Sequence, residues 1–409
     1  MFNEERENVL IERLVRRQEK ANEQILKELG KILGEIGQLT PSEAYTIGQQ
    51  LKYGESLEKI IIILSKQSRL TRAEIYQMLE GEARYNLDFS KKYFKAREAD
   101  FIPYKDNRPL QRLVNEIAIA TINNVGVSEL RNISRTTGIT YLDRNGKRVT
   151  KNIIDAYNEI IDDAIVNVAT GKESFQQELQ RQLKTIGQSG IQKIEYESGR
   201  HRRIDSAMRM NLSDGLSQLA IAQQEIVGSQ FGNDGWEVTV HSYPAIDHED
   251  IQGHIFYNEE FNKLQDYEYF GDIKDVNGRV YTRTESEHIR PIGELNCYHV
   301  AMAIVVGVDK PRYTQEELDK INKQNEKGTD FDGKHYTLYE ASQLQRKLEL
   351  EIRRNRETEV IAKASGESGK QLLEDTRTTI NQLFNKYHEL SKVSGLPVKL
   401  ERTRLLTKK

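Results

Sequence analysis

Apolar residues recur at helical spacing through most of this chain. One stretch breaks the habit: Trp236 to His299 gathers five of the eight histidines (His241, His248, His254, His288 and His299), the only cysteine, Cys297, and the only tryptophan. Such a pattern constrains the chain to a charged helical frame around one compact module of different chemistry. The expected fold class is therefore α+β and predominantly α-helical, with a long helical N-terminal region, a small His-rich α+β module in the middle and a helical C-terminal tail.

The frame can be followed residue by residue. Between Glu4 and Ile36 the apolar positions Leu10, Leu14, Ile25, Leu29, Ile32 and Ile36 form one stripe, and most of the others are Glu, Arg, Lys or Gln. That reads as an exposed amphipathic helix in need of a partner, either later helices of its own chain or another subunit. Thr40-Pro41-Ser42-Glu43 opens the next helix with a capping box and a first-turn proline, and Thr71-Arg72-Ala73-Glu74 and Thr314-Gln315-Glu316-Glu317 repeat the box. Asp143-Arg144-Asn145-Gly146-Lys147, set between Ile139–Leu142 and Arg148–Thr150, predicts a short hairpin. A second is predicted at Asp275–Tyr281 around Asn277-Gly278. Trp236–His241 alternates as a strand does, and so does Cys297–Val300 leading into Ala303–Gly307. Helix resumes at Thr314 and runs through Tyr339 to Arg356 and Gln371 to Val393. The expected division is residues 1–190, helical; 191–312, the α+β module; and 313–409, charged helix.

Global properties exclude several classes. At 409 residues the chain suggests about two to three domains of roughly 100–200 residues. A net charge of −3, from 60 basic and 63 acidic residues, provides no overall field toward nucleic acid or anionic membrane. Residues 342–409 do hold fifteen Lys or Arg against nine Asp or Glu, which would allow only a weak phosphate contact. A single cysteine excludes an intramolecular disulfide and fits a reducing cytoplasm. The start, MFNEERENVL, lacks the order of a signal peptide. The longest apolar run, Ile60–Leu64, is far short of the about 20 residues of a membrane span. There is no P-loop and no G-x-G-x-x-G.

The window invites a metal reading. His248 and His254 are six residues apart, whereas the zinc-protease motif needs its histidines one helical turn apart, so a zincin is excluded. Cys297 and His299 fall on one face of a strand, and His241, with His248 or His254, could complete an N/S shell. These five residues are the metal candidates, with zinc as the ion. The spacings match no strong zinc pattern, so a hydrogen-bonded structural cluster is the favoured reading, with no cofactor and no catalytic residue expected. A ββα nuclease using Asn258, Asn296 and His299 and an active Cys297 thiol are the weaker catalytic readings. On the helix after Gly199, Arg202, Asp205 and Arg209 have the spacing of salt bridges along one face.

Six pieces in order carry a family resemblance: Tyr196-Glu197-Ser198-Gly199-Arg200; Arg203-Ile204-Asp205-x-Ala207-x-Arg209; Val238-Thr239-Val240-His241; His248-x3-Gln252-Gly253; Gly293-x2-Asn296-Cys297-x-His299; and Tyr339-Glu340-Ala341 continuing to Ile352-Arg353. Together they resemble the phage minor capsid protein 2 family, akin to the Mu-type head-morphogenesis proteins of tailed phages. The resemblance implies a structural virion protein without enzymatic activity. It would be encoded beside the portal and associate with it and other head proteins, with the N-terminal region docking. It would aid procapsid assembly and DNA packaging or ejection, reside in the phage head, and occupy the host cytoplasm during assembly. The alternative is a metal-binding enzyme, such as a nuclease or a virion-carried effector. Where the family's histidine is normally preceded by arginine-proline, this chain reads Tyr243-Pro244-Ala245-Ile246-Asp247-His248, which weakens a catalytic assignment.

Overall fold

The computed structural model describes residues 4–48, 54–96, 99–125, 136–170, 175–194, 201–284, 289–294 and 297–403. Tyr196–Arg200, His288 and Asn296 lie outside the described residues. In chain order the helices are α1 (Glu4–Ile36), α2 (Pro41–Gly48), α3 (Gly54–Ala96), α4 (Arg108–Val125), α5 (Ile153–Ala169), α6 (Phe175–Ser189), α7 (Ile204–Ser229), α8 (Ile246–Glu249), α9 (Asn258–Gln265), α10 (Gln315–Lys327), α11 (Leu338–Ala364) and α12 (Lys370–Ser394). The strands are β1 (Thr137–Leu142), β2 (Arg148–Asn152), β3 (Gln192–Lys193), β4 (Arg202–Arg203), β5 (Gly235–Val238), β6 (Ile255–Tyr257), β7 (Gly271–Lys274), β8 (Val280–Arg283), β9 (Ala301–Ile304), β10 (Thr329–Phe331) and β11 (Lys334–Tyr336). At 65% helix with small antiparallel sheets, the fold is α+β and predominantly helical, as the patterning predicts. No described helix is long and apolar enough to cross a membrane.

Local chemistry explains the element ends. Thr40 and Glu43 close their capping box ahead of α2, Thr40 N–H donating to Glu43 Oε2 at 2.8 Å. Thr314 and Glu317 do the same for α10. The Thr71 box starts nothing: α3 runs through it, because no proline or glycine interrupts residues 55–80 and Thr71, Ile75 and Leu79 are buried. Both predicted hairpins form, β1 with β2 and β7 with β8. Their turns rest on Gly146 and Gly278 at φ 74° and 83°.

Two differences concern strands. Cys297–Val300 precedes rather than forms the strand, since pairing with β5 begins at Ala301, opposite Val238. A third hairpin, β10 with β11, turns on Asp332-Gly333 where the helical reading places none.

Contacts group the chain into two compact units, each drawn from three segments: Met1–Ile11, Ala73–Asn124 and Met210–Gln343; and Glu12–Arg72, Val125–Arg209 and Leu344–Lys409. The first holds the three-stranded sheet β6-β5-β9 and the hairpins β7-β8 and β10-β11. Its core includes Trp236, Val238, Phe256, Phe261, Leu264, Ile273 and Ile292, with Trp236 stacked on Phe261 at 4.8 Å.

The second unit holds the sheet β2-β1-β3-β4 and a larger core to which α1 contributes Ile25, Leu26, Leu29, Leu33 and Ile36. The stripe on α1 is therefore covered by later segments of its own chain, one of the two partners its pattern allows. Gly30 and Gly34 make that packing possible. A Cβ on Gly30 would lie 2.5 Å from the Ile361 carbonyl oxygen, and one on Gly34 2.4 Å from that of Ser365, so the two backbones meet where only glycine fits.

The same unit buries an ionic network. Arg203 is held by Glu357 and donates from Nε to Asp205 Oδ1 at 3.1 Å, and Arg353 Nε reaches Asp205 Oδ2 at 3.1 Å. Arg209 joins Asp205 across one turn at 3.3 Å, as the spacing predicts. Arg202, which the same pattern includes, instead lies exposed on β4. Arg353 and Arg402, part of the C-terminal basic surplus, are themselves buried against carboxylates.

A buried histidine and cysteine cluster

The candidate site lies within the first unit, between the short helix α8 and the segment leading into β9. His248 sits on α8 with 1% of its surface exposed, and Cys297 and His299 are each 4% exposed. The Cys297 Sγ is 3.2 Å from His248 Nδ1 and 3.5 Å from His299 Nδ1. The two imidazoles meet edge to face, with centroids 5.2 Å apart. Among the described residues this is the one group of three His, Cys, Asp or Glu side chains gathered tightly enough to hold a metal, all ligand atoms lying within 4.8 Å of one another.

Fixed partners orient both rings. His248 Nε2 is 2.8 Å from the carbonyl of Arg290, and an N–H must donate there because a carbonyl only accepts. Arg290 is anchored in turn by Asp247, its Nε to Oδ2 at 2.6 Å and Nη2 to Oδ1 at 2.9 Å. His299 Nε2 faces Gln252 Oε1 at 3.2 Å, and that oxygen also accepts the backbone N–H of His241 at 2.8 Å. Gln252 Nε2 donates to Asn322 Oδ1 at 3.0 Å, and Asn322 Nδ2 to the Glu249 carbonyl at 3.2 Å.

Burial sets the protonation states. It lowers the pKa of His248, against the opposing pull of Asp247, and drives that of His299 well below the usual imidazole value. Burial also pushes the Cys297 thiol up to about 11. At neutral pH the cluster is thus two neutral imidazoles and a protonated thiol, which is a poor nucleophile.

Of the five candidates in the sequence, the structure brings together three. His254 turns to Asp275, Nδ1 to Oδ2 at 2.8 Å, with Tyr281 against its ring edge at 5.9 Å. His241 packs on Tyr243, Tyr298 and His299 at 4.9, 5.6 and 5.9 Å, beside the cluster rather than in it. Asn258, a candidate for the nuclease reading, donates from its side chain to the Asn233 carbonyl at 3.2 Å. Sequence reading missed the supporting shell of Asp247, Gln252, Arg290 and Asn322. Gln252 alone carried a signal, one helical turn after His248.

A family model described as Phage minor capsid protein 2 matches residues 3–390. No curated protein and no solved structure matches the chain.

Proposed function

The chain belongs to the phage minor capsid protein 2 family, and from that premise we propose that it is a non-enzymatic structural component of the phage head. On this reading it docks on the portal and serves procapsid assembly and DNA packaging or ejection. The observation that carries the reading is the span of the family match, which runs from residue 3 to residue 390 and so includes frame and module alike. A minor capsid protein resides in the virion and contacts other head proteins. The portal is the partner the reading adds, with the host cytoplasm as the place of assembly.

The structure bears on how docking would occur. The apolar stripe of α1 is spent in its own core, so the portal would be met by outer surfaces rather than by that stripe. Any DNA contact through the C-terminal surplus is weak, because Arg353 and Arg402 are committed to carboxylates.

The test is co-expression of the full chain with the portal protein of the same phage, followed by pull-down and imaging of procapsids. Co-purification at moderate salt and density at the portal vertex support the proposal. A chain that neither co-purifies nor appears at that vertex would reject portal docking.

A further inference from the structure

We propose that His248, Cys297 and His299 form a zinc site, the ion held by the two Nδ1 atoms and Sγ with one coordination position left to water. Two buried lone pairs point to the ion. Gln252 Oε1 accepts a backbone N–H from His241, so it is the oxygen of that amide, and His299 Nε2 facing it must carry the hydrogen. The Arg290 carbonyl demands the same of His248 Nε2. Both rings are therefore fixed in the tautomer that leaves Nδ1 bare, and both bare nitrogens face one sulfur. A thiol has a single S–H to offer two acceptors, so without a further ion one buried lone pair has no donor from the sulfur. A metal satisfies all three atoms at once.

The distances fit. With Zn–S near ~2.3 Å and Zn–N near ~2.0–2.1 Å, tetrahedral angles put nitrogen and sulfur about 3.5 Å apart. The structure has 3.2 and 3.5 Å. Two imidazoles and a thiolate without a carboxylate suit zinc over magnesium or calcium. The outward N–H of each ligand already sits on a fixed acceptor, the arrangement that orients metal-bound histidines elsewhere. On binding, the S–H bond breaks, the sulfur pair goes to zinc and the proton leaves to solvent. The ion would tie the α8 turn to the segment before β9.

Full-length protein is loaded with zinc, dialysed into metal-free buffer and analysed for metal, and a second sample is loaded with cobalt(II). The expected result is one retained equivalent of zinc and a sulfur-to-cobalt charge-transfer band with tetrahedral d–d absorption. C297S should lose the band, whereas H254A should keep it. Folded wild-type protein that retains no zinc, or whose cobalt spectrum lacks the thiolate band, overturns the proposal without recourse to any variant. So does a C297S protein with the wild-type cobalt spectrum.

Discussion

The carboxylate of Glu12 lies in the fork of Arg209, with Nε to Oε1 at 2.8 Å and Nη2 to Oε2 at 3.1 Å, joining residues 197 positions apart in the chain. Both groups are largely out of water, and Arg209 holds the Glu12 carboxyl below its usual range despite the opposing effect of burial. Arg209→Ala strands the buried Glu12 carboxylate and should cost about 3–5 kcal/mol, read as a lowered denaturant midpoint, whereas Glu12→Ala leaves Arg209 on Glu19 and Asp205 and should cost less. Wild-type midpoints for both would show that the network contributes nothing.

Glu19 should behave differently. Glu19 shares Arg209 with Glu12 and Asp205, its Oε1 lying 3.0 Å from Nη2. Burial raises Glu19 from 4.5 to about 7, the attraction of Arg209 only partly offsetting it, and its Oε2 has no hydrogen-bond partner among the described residues. Its folded pKa exceeds the unfolded one, so the stabilisation is complete below about pH 4.5 and is lost as pH rises through about 7. The swing is on the order of 3 kcal/mol. Glu19→Gln keeps an acceptor for Arg209 and should flatten the melting temperature between about pH 5 and 8. An unchanged slope would mean that another group titrates.

Gly34→Ala places a methyl 2.4 Å from the Ser365 carbonyl oxygen. Backbone has little room to yield, so the substitution should destabilise by about 1–3 kcal/mol. Gly81→Ala, with open space around it on α3, is the control and should be neutral or mildly stabilising. Equal melting curves for the two variants would contradict the close approach.

His254→Ala removes the partner of a buried carboxylate whose other oxygen takes the backbone N–H groups of Asn277 and Arg279, each at 2.9 Å. A loss of about 1–3 kcal/mol is expected from the unpaired Asp275 oxygen. Thermal unfolding at neutral pH checks it, and no change would mean that water replaces the imidazole.

Deleting residues 1–36 should abolish cooperative unfolding of the second unit, because α1 supplies Leu26, Leu33 and Ile36 with no exposed surface. Circular dichroism and limited proteolysis would decide. A truncated chain that still melts cooperatively with its helix content intact would show that α1 is dispensable.

What could be read from the sequence was whatever short-range chemistry controls. The turns at Gly146 and Gly278 and the caps at Thr40 and Thr314 depend on neighbours a few residues away, and they form where the residues say. Thr71 carries the same cap signature but sits mid-helix, because a box starts a helix only where something else stops the one before it. Asp332-Gly333 carried a hairpin signal that the surrounding charged residues obscured. The period of α1 revealed a stripe but not its cover, which lies far away in sequence on α11. The His/Cys window was visible for the same reason, whereas the choice of His248 over His254 was not. Spacing alone does not tell that Asp275 draws His254 away.

The interleaved segments of the second unit bear on synthesis. The apolar side of α1 is made well before part of its cover, Ile361 and Ala362, which follow more than 300 residues later in the chain. At roughly 5–20 residues per second, that interval is on the order of tens of seconds. During it α1 has the cover that Leu179 and Ile191 bring but not the close backbone approach of α11 at Gly30 and Gly34.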